Sequence, residues 1–116
     1  MCNIFLEKFL KEKQHQSPRR VLDFGGDEGQ FIPDIDSIEA RAVFEVSSVS
    51  SLEGVNRFRD WTQVRGFSPD MIMMCHVLEH VENARELVET AFSVLASGGL
   101  TYIEVPLDSP PRPPEL

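Results

Sequence analysis

The sequence lacks any apolar run of the roughly 20 residues that a membrane-spanning helix needs, so no membrane partner is expected. It has two cysteines, Cys2 and Cys75, too few for a disulfide framework or a zinc knuckle. Glu7, Lys8 and Lys11 interrupt the apolar residues near the start, where a signal peptide would stay uncharged. Together these predict a reducing, cytoplasmic setting. Positive charge is also scarce. Eleven Lys and Arg stand against 19 Asp and Glu, for a net charge of −8. A surface this acidic repels phosphate backbones, so nucleic acid is not an expected partner. The dinucleotide fingerprint GxGxxG is missing, because the clustered glycines are Gly25, Gly26 and Gly29. No Walker-type lysine follows them, which disfavours a nucleotide-dependent oxidoreductase or a phosphate-loop enzyme.

What is present fits one domain. The 116 residues can bury a single core, and 41% hydrophobic and 26% charged residues are near globular averages. Residues 1–19 read as an N-terminal helix, centred on 3–13, and a linker broken at Pro18. Residues 20–106 read as the core. Residues 107–116 form a proline-rich tail that cannot continue a strand or helix.

Within the core, strands are predicted at Arg20–Gly25, Arg41–Val46, more weakly Asn56–Asp60, then Asp70–Cys75 and Leu100–Val105. The apolar run of Asp70–Cys75 suits a strand buried on both faces. A short helix is predicted at Ile32–Ala40, with Pro33 in its first turn. Ser47–Ser51 reads as a loop, and Gly66 and Pro69 as a turn. Asn83 is placed to cap a helix, with Glu86 three residues on. Leu87, Val88, Ala91, Phe92 and Leu95 repeat at helical spacing and are assigned to the core, and Gly98-Gly99 stops the helix. Strands alternating with helices predict a Rossmann-like, doubly wound, mostly parallel α/β sheet of about five strands, with helices on both faces.

Ligands of such sheets sit beyond the carboxyl ends of the strands. Three groups of residues fall there. Asp23-Phe-Gly-Gly-Asp-Glu-Gly29 follows the first strand, and its glycines allow a tight turn and close approach of a ligand. Glu45 ends the second strand, at a spacing from Asp23 that suits an acid gripping ribose hydroxyls. His76-Val-Leu-Glu-His80 follows the fourth. Each has a plain alternative: a tight turn, a solvated glutamate, and local hydrogen bonding at a helix start. The HxxEH pattern also matches a zinc-protease signature, but that requires both histidines on one helix, and His76 is predicted at a strand end.

The succession VLDFGGDEG, FEVS, PDMIMMCHVLEHVENARELV and LASGGLTYIEVP resembles the class I S-adenosylmethionine-dependent methyltransferases, over roughly residues 20–106. It is closest to the group with a Leu-Glu-His-Val segment after the fourth strand. The resemblance implies S-adenosyl-L-methionine as cofactor and a small-molecule or glycan-type acceptor. It implies that Asp23, Gly25, Gly26 and Gly29 wrap the methionine part of the cofactor and that Glu45 holds the ribose. Asp60 and Trp61 fall near the adenine-contacting segment, and His76 and Val77 match the loop lining the cofactor. Glu79 and His80 match a pair that faces the substrate or braces the loop. Where the acceptor must lose a proton, a histidine is a suitable base. His80 is favoured over His76 for this, because His76 is expected to pack under the cofactor.

Three departures stand out. Asp27 occupies the position of the family's middle glycine. His76 stands where metal-dependent members carry a glutamate, and no metal is expected here. The family's sheet has seven strands, and this sequence ends after the fifth. It therefore reads as the cofactor half of such an enzyme, truncated, with an edge strand open to a second copy or a completing partner. The rival expectation is an inactive cofactor-binding or interaction fragment.

Overall fold

The computed structural model describes residues 17–25, 32–45 and 53–106. Five parallel strands form one sheet in the order β3-β2-β1-β4-β5. They are β1 (Arg20–Phe24), β2 (Ala40–Phe44), β3 (Val55–Phe58), β4 (Met71–Cys75) and β5 (Leu100–Glu104). The strongest apolar run lies next to the sheet centre: Met71, Ile72, Met73 and Met74 of β4 are all fully buried. A parallel strand covered on both faces needs such a run, because successive side chains point to opposite sides. The register is continuous across the sheet. Asp23 of β1 lies beside Val43 of β2 and Met73 of β4, and Met73 lies beside Tyr102 of β5.

One face carries both described helices, α1 (Trp61–Phe67) and α2 (Ala84–Val94). Leu22, Ala42, Ile72 and Met74 pack there against Val64 and Phe67 of α1 and Ala91 and Val94 of α2. On the other face Val21, Met71 and Met73 pack against Ile32 and Ile38. Among the described residues, then, helices lie on one face only, and the segment between β1 and β2 covers the other. The expected N-terminal helix, the Ser47–Ser51 loop and the proline-rich tail lie outside the described residues.

Three expectations need correction. Residues 32–39 form no helix. Ile32, Ile35 and Ile38 recur every third residue, and the turn they make is held by Ile38 N–H to the Ile35 carbonyl at 3.0 Å. Buried Pro33 and a Ser37 hydroxyl donating to the Pro18 carbonyl (2.8 Å) fix the segment against the sheet instead. Second, the segment read as leading to a turn is α1. Its signal was present in the sequence: the Asp60 carboxylate accepts from Gln63 N–H at 2.9 Å, while the Gln63 side chain accepts from Asp60 N–H at 3.3 Å. This is a capping box with aspartate and glutamine in the two roles. Third, Phe92 is not core. It is 57% exposed, and Val94 fills the buried position on that helix.

Cys75 is disulfide-bonded, so it gives no support to the reducing setting expected above. No helix among the described residues is long and apolar enough to cross a membrane.

The predicted cap of α2 is present. Asn83 Oδ1 accepts from Glu86 N–H at 3.0 Å, satisfying a donor that the helix leaves unpaired. Asn83→Ala is expected to lower stability by about 1 kcal/mol. A urea titration would show this as a lower midpoint at unchanged slope.

Candidate functional site

Chain direction in the sheet reverses between β1 and β4. From β1 the chain moves outward to β2 and β3, then returns to add β4 and β5 on the other side. At such a reversal the loops after the two central strands diverge and leave a crevice at their carboxyl ends. Asp23, Gly25, Glu45, His76, Val77 and the cap residue Asp60 all lie at this edge.

Asp23 is the most constrained of them. It is 2% exposed and is the only buried charged residue in the described core. Its Oδ2 is buried with no hydrogen-bond partner among the described residues. Burial without a compensating charge pushes its acid up to about 7, from an ordinary value of 3.8. A buried carboxyl with an orphan oxygen costs stability and suits a cationic or hydrogen-bonding ligand group.

Gly25 follows directly. Its φ of +70° is a left-handed conformation, and its N–H donates to the Phe44 carbonyl at 2.9 Å. A Cβ there would lie 3.3 Å from Val77 Cγ2. The turn after β1 and the loop after β4 thus approach each other at Gly25. Gly26 and Gly29 lie outside the described residues. Glu45 continues directly from β2, and its N–H donates to the Phe58 carbonyl at 3.0 Å.

The structure gives Asp60 and Trp61 local roles. Asp60 caps α1. Trp61 stacks on Phe24 and packs on Phe44, with ring centroids 5.6 and 4.8 Å apart. Both follow the carboxyl end of β3, and Trp61 packs on the last residues of β1 and β2.

After β4 the backbone turns sharply at His76, whose φ is +59°. Its Nε2 lies 3.0 Å from Glu104 Oε2. Its Nδ1 is 3.9 Å from Glu79 Oε2, and His80 Nε2 is 3.8 Å from that same oxygen. Those two separations are too long for hydrogen bonds. Glu79 and His80 sit in a single 3-10 turn, Leu78–His80, and His80 is far more exposed than His76, at 76% against 44% of the side chain. Among the described residues no group of three His, Cys, Asp or Glu side chains is arranged to hold a metal ion.

Sequence reasoning missed Glu104. It read as the penultimate residue of the fifth strand, yet its carboxylate joins His76 to Tyr102, whose hydroxyl donates to Glu104 Oε1 at 2.9 Å. Burial and the adjacent Glu104 push the Tyr102 phenol up to about 12, so it stays a donor. Only parallel pairing of β4 with β5, which places Cys75 beside Glu104, makes this neighbour visible.

The fold defines a Rossmann-like α/β protein whose strand order reverses between β1 and β4. A family model described as "Methyltransferase domain" matches residues 2–114, and the chain belongs to that family of class I methyltransferases. No curated protein and no solved structure matches the chain.

Proposed function

We propose that this domain binds S-adenosyl-L-methionine across the carboxyl ends of β1, β2 and β4 and transfers its methyl group to a small-molecule or glycan-type acceptor. The observation that carries this reading is the orphan Oδ2 of buried Asp23. The α-ammonium of the cofactor's methionine part supplies the partner that this oxygen lacks. Gly25 leaves the backbone free of side-chain bulk beside it, and Glu45 is placed to accept from the ribose hydroxyls.

The cofactor supplies an already activated methyl group on a sulfonium, so the protein mainly has to position the acceptor. Where the acceptor carries a proton, His76 or His80 receives it. The bracing by Glu104 favours His76, reversing the preference drawn from the sequence.

The test is calorimetric titration with S-adenosylmethionine and S-adenosylhomocysteine, with NAD as control. Micromolar binding of both adenosyl ligands and none of NAD is expected. Glu45→Ala should weaken binding by roughly thirtyfold, the equivalent of about 2 kcal/mol for hydrogen bonds to a charged acceptor. A folded chain that binds neither adenosyl ligand refutes the proposal.

One observation favours a second reading, an interaction fragment completed by another chain. The outer strand β5 carries Ile103 exposed, Val105 just beyond its end is exposed, and Phe92 of α2 is exposed as well. An open edge with apolar side chains favours strand pairing with a second copy or a partner. Sedimentation analysis is expected to show concentration-dependent association, reduced in Ile103→Lys. A clean monomer at high concentration refutes it.

A further inference from the structure

We propose that Glu104, at the end of β5, is a positioning residue for methyl transfer, holding His76 as its Nε2–H tautomer so that Nδ1 is the base for a protonated acceptor. This rests on the methyltransferase reading above and adds a residue and an acceptor class to it.

Glu104 holds His76 from two sides. Its carbonyl oxygen accepts from His76 N–H at 2.7 Å, and its Oε2 lies 3.0 Å from His76 Nε2. The carboxylate is itself fixed, because Oε1 accepts from the Tyr102 hydroxyl. Only 18% of the Glu104 side chain is exposed, which weakens competition from water. A carboxylate accepts and does not donate, so in the neutral imidazole Nε2 carries the proton and Nδ1 the lone pair.

Backbone geometry agrees. Among the described residues, two non-glycine residues have positive φ, Ser68 and His76. Ser68 is explained by its place: it is the left-handed C-cap of α1, with its N–H on the Val64 and Arg65 carbonyls. His76 caps no helix. Its strained turn aims the ring at Glu104 and leaves Nδ1 without a hydrogen-bond partner among the described residues, with Glu79 Oε2 standing off at 3.9 Å. Strain of this kind persists where surrounding contacts over-determine it, and it gathers at functional sites.

The step balances simply. The acceptor O–H or N–H gives its proton to Nδ1 of His76. Its oxygen or nitrogen bonds the methyl carbon as the carbon–sulfur bond breaks, and that electron pair stays on sulfur. Glu104 stabilises the imidazolium that results. An acceptor without a proton, such as a thioether, would not need this pair.

The test is nitrogen-15 NMR of the full chain labelled at histidine, with no cofactor present. A slowly exchanging Nε2–H proton is expected for His76 and not for His80. Glu104→Gln should abolish that slow exchange and let the Nδ1–H tautomer appear, while Glu79→Gln leaves both unchanged. A residue that merely packs would not move the tautomer. A rapidly exchanging His76 ring in the wild type overturns the proposal, and needs no variant to fold. An unchanged tautomer in folded Glu104→Gln overturns it too. Binding of S-adenosylhomocysteine is measured in parallel and should survive Glu104→Gln. Its absence in the wild type, with the NMR signature present, overturns the methyl-transfer reading and with it the base role, while the hydrogen-bonded pair stands.

Discussion

Asp23→Asn is expected to abolish adenosyl-ligand binding and, in the free protein, to remove a pH dependence of stability that the wild type shows. The acid of Asp23 is raised by burial from 3.8 to about 7. A raised acid contributes stability that is fully present below the unfolded value and is lost as pH rises through the folded one. The wild type should therefore become less stable between about pH 4 and pH 7, with the loss saturating at higher pH. Three pKa units set an upper scale of about 4 kcal/mol. Asparagine is nearly isosteric with the protonated acid and cannot ionise. The variant should match the wild type near pH 4 and be the more stable of the two at pH 8, by up to a few kcal/mol. Thermal or urea unfolding at the two pH values reads this directly. Equal pH dependence in both proteins would mean that Asp23 is paired or solvated.

Ligand binding carries the same linkage with the opposite sign. If the cofactor's ammonium pairs with Asp23, the bound state needs the carboxylate. Apparent affinity for S-adenosylhomocysteine should then fall about tenfold per unit as pH drops below about 7, with one proton released on binding. Calorimetry in buffers of different ionisation enthalpy would measure that proton. The residue that destabilises the empty domain would thus be the one that anchors the filled one.

Much of this fold was legible in the sequence, and the reasons differ by element. β4 was readable because buried parallel strands are apolar without alternation. α2 was readable because Asn83 and Glu86 announce its start and Gly98-Gly99 its end. α1 was missed, although Asp60 and Gln63 carry a cap signal, because seven residues are too few for an apolar stripe to stand out. Phe92 was misplaced because helical spacing assigns a residue to a face and cannot say where that face meets the sheet. The site divides along the same line. Asp23, Gly25 and Glu45 are local to their strands, so their places at the carboxyl edge could be read from the sequence. Glu104 lies 28 positions from His76 and meets it only through strand register. A one-dimensional reading has no access to that pairing.

The two glycines after α2 provide the strongest test of how the sheet is closed. Gly98 has φ +79° and open space around it, so Gly98→Ala should cost only the left-handed strain, about 1–2 kcal/mol. Gly99 has the reverse problem. A Cβ there would lie 2.7 Å from Leu95 Cγ, 2.8 Å from the Ala96 carbonyl oxygen and 2.9 Å from that of Asp70. The leucine tip can move, but the two backbone oxygens are already committed. The Ala96 carbonyl accepts from Gly99 N–H and the Asp70 carbonyl from Leu100 N–H, both at 2.9 Å. Asp70 is in turn fixed to β1, its carboxylate accepting from Arg19 N–H at 2.9 Å and Arg20 N–H at 2.8 Å. A methyl group at Gly99 therefore pushes on the junction that joins β1, β4 and β5 at their amino ends. Gly99→Ala is expected to cost about 3 kcal/mol or more, a large part of the stability of a domain this size. Thermal unfolding should rank the wild type first, Gly98→Ala second and Gly99→Ala well below both. The opposite order of the two variants would mean that left-handed strain, and not the close approach of the β4 and β5 starts, decides this corner.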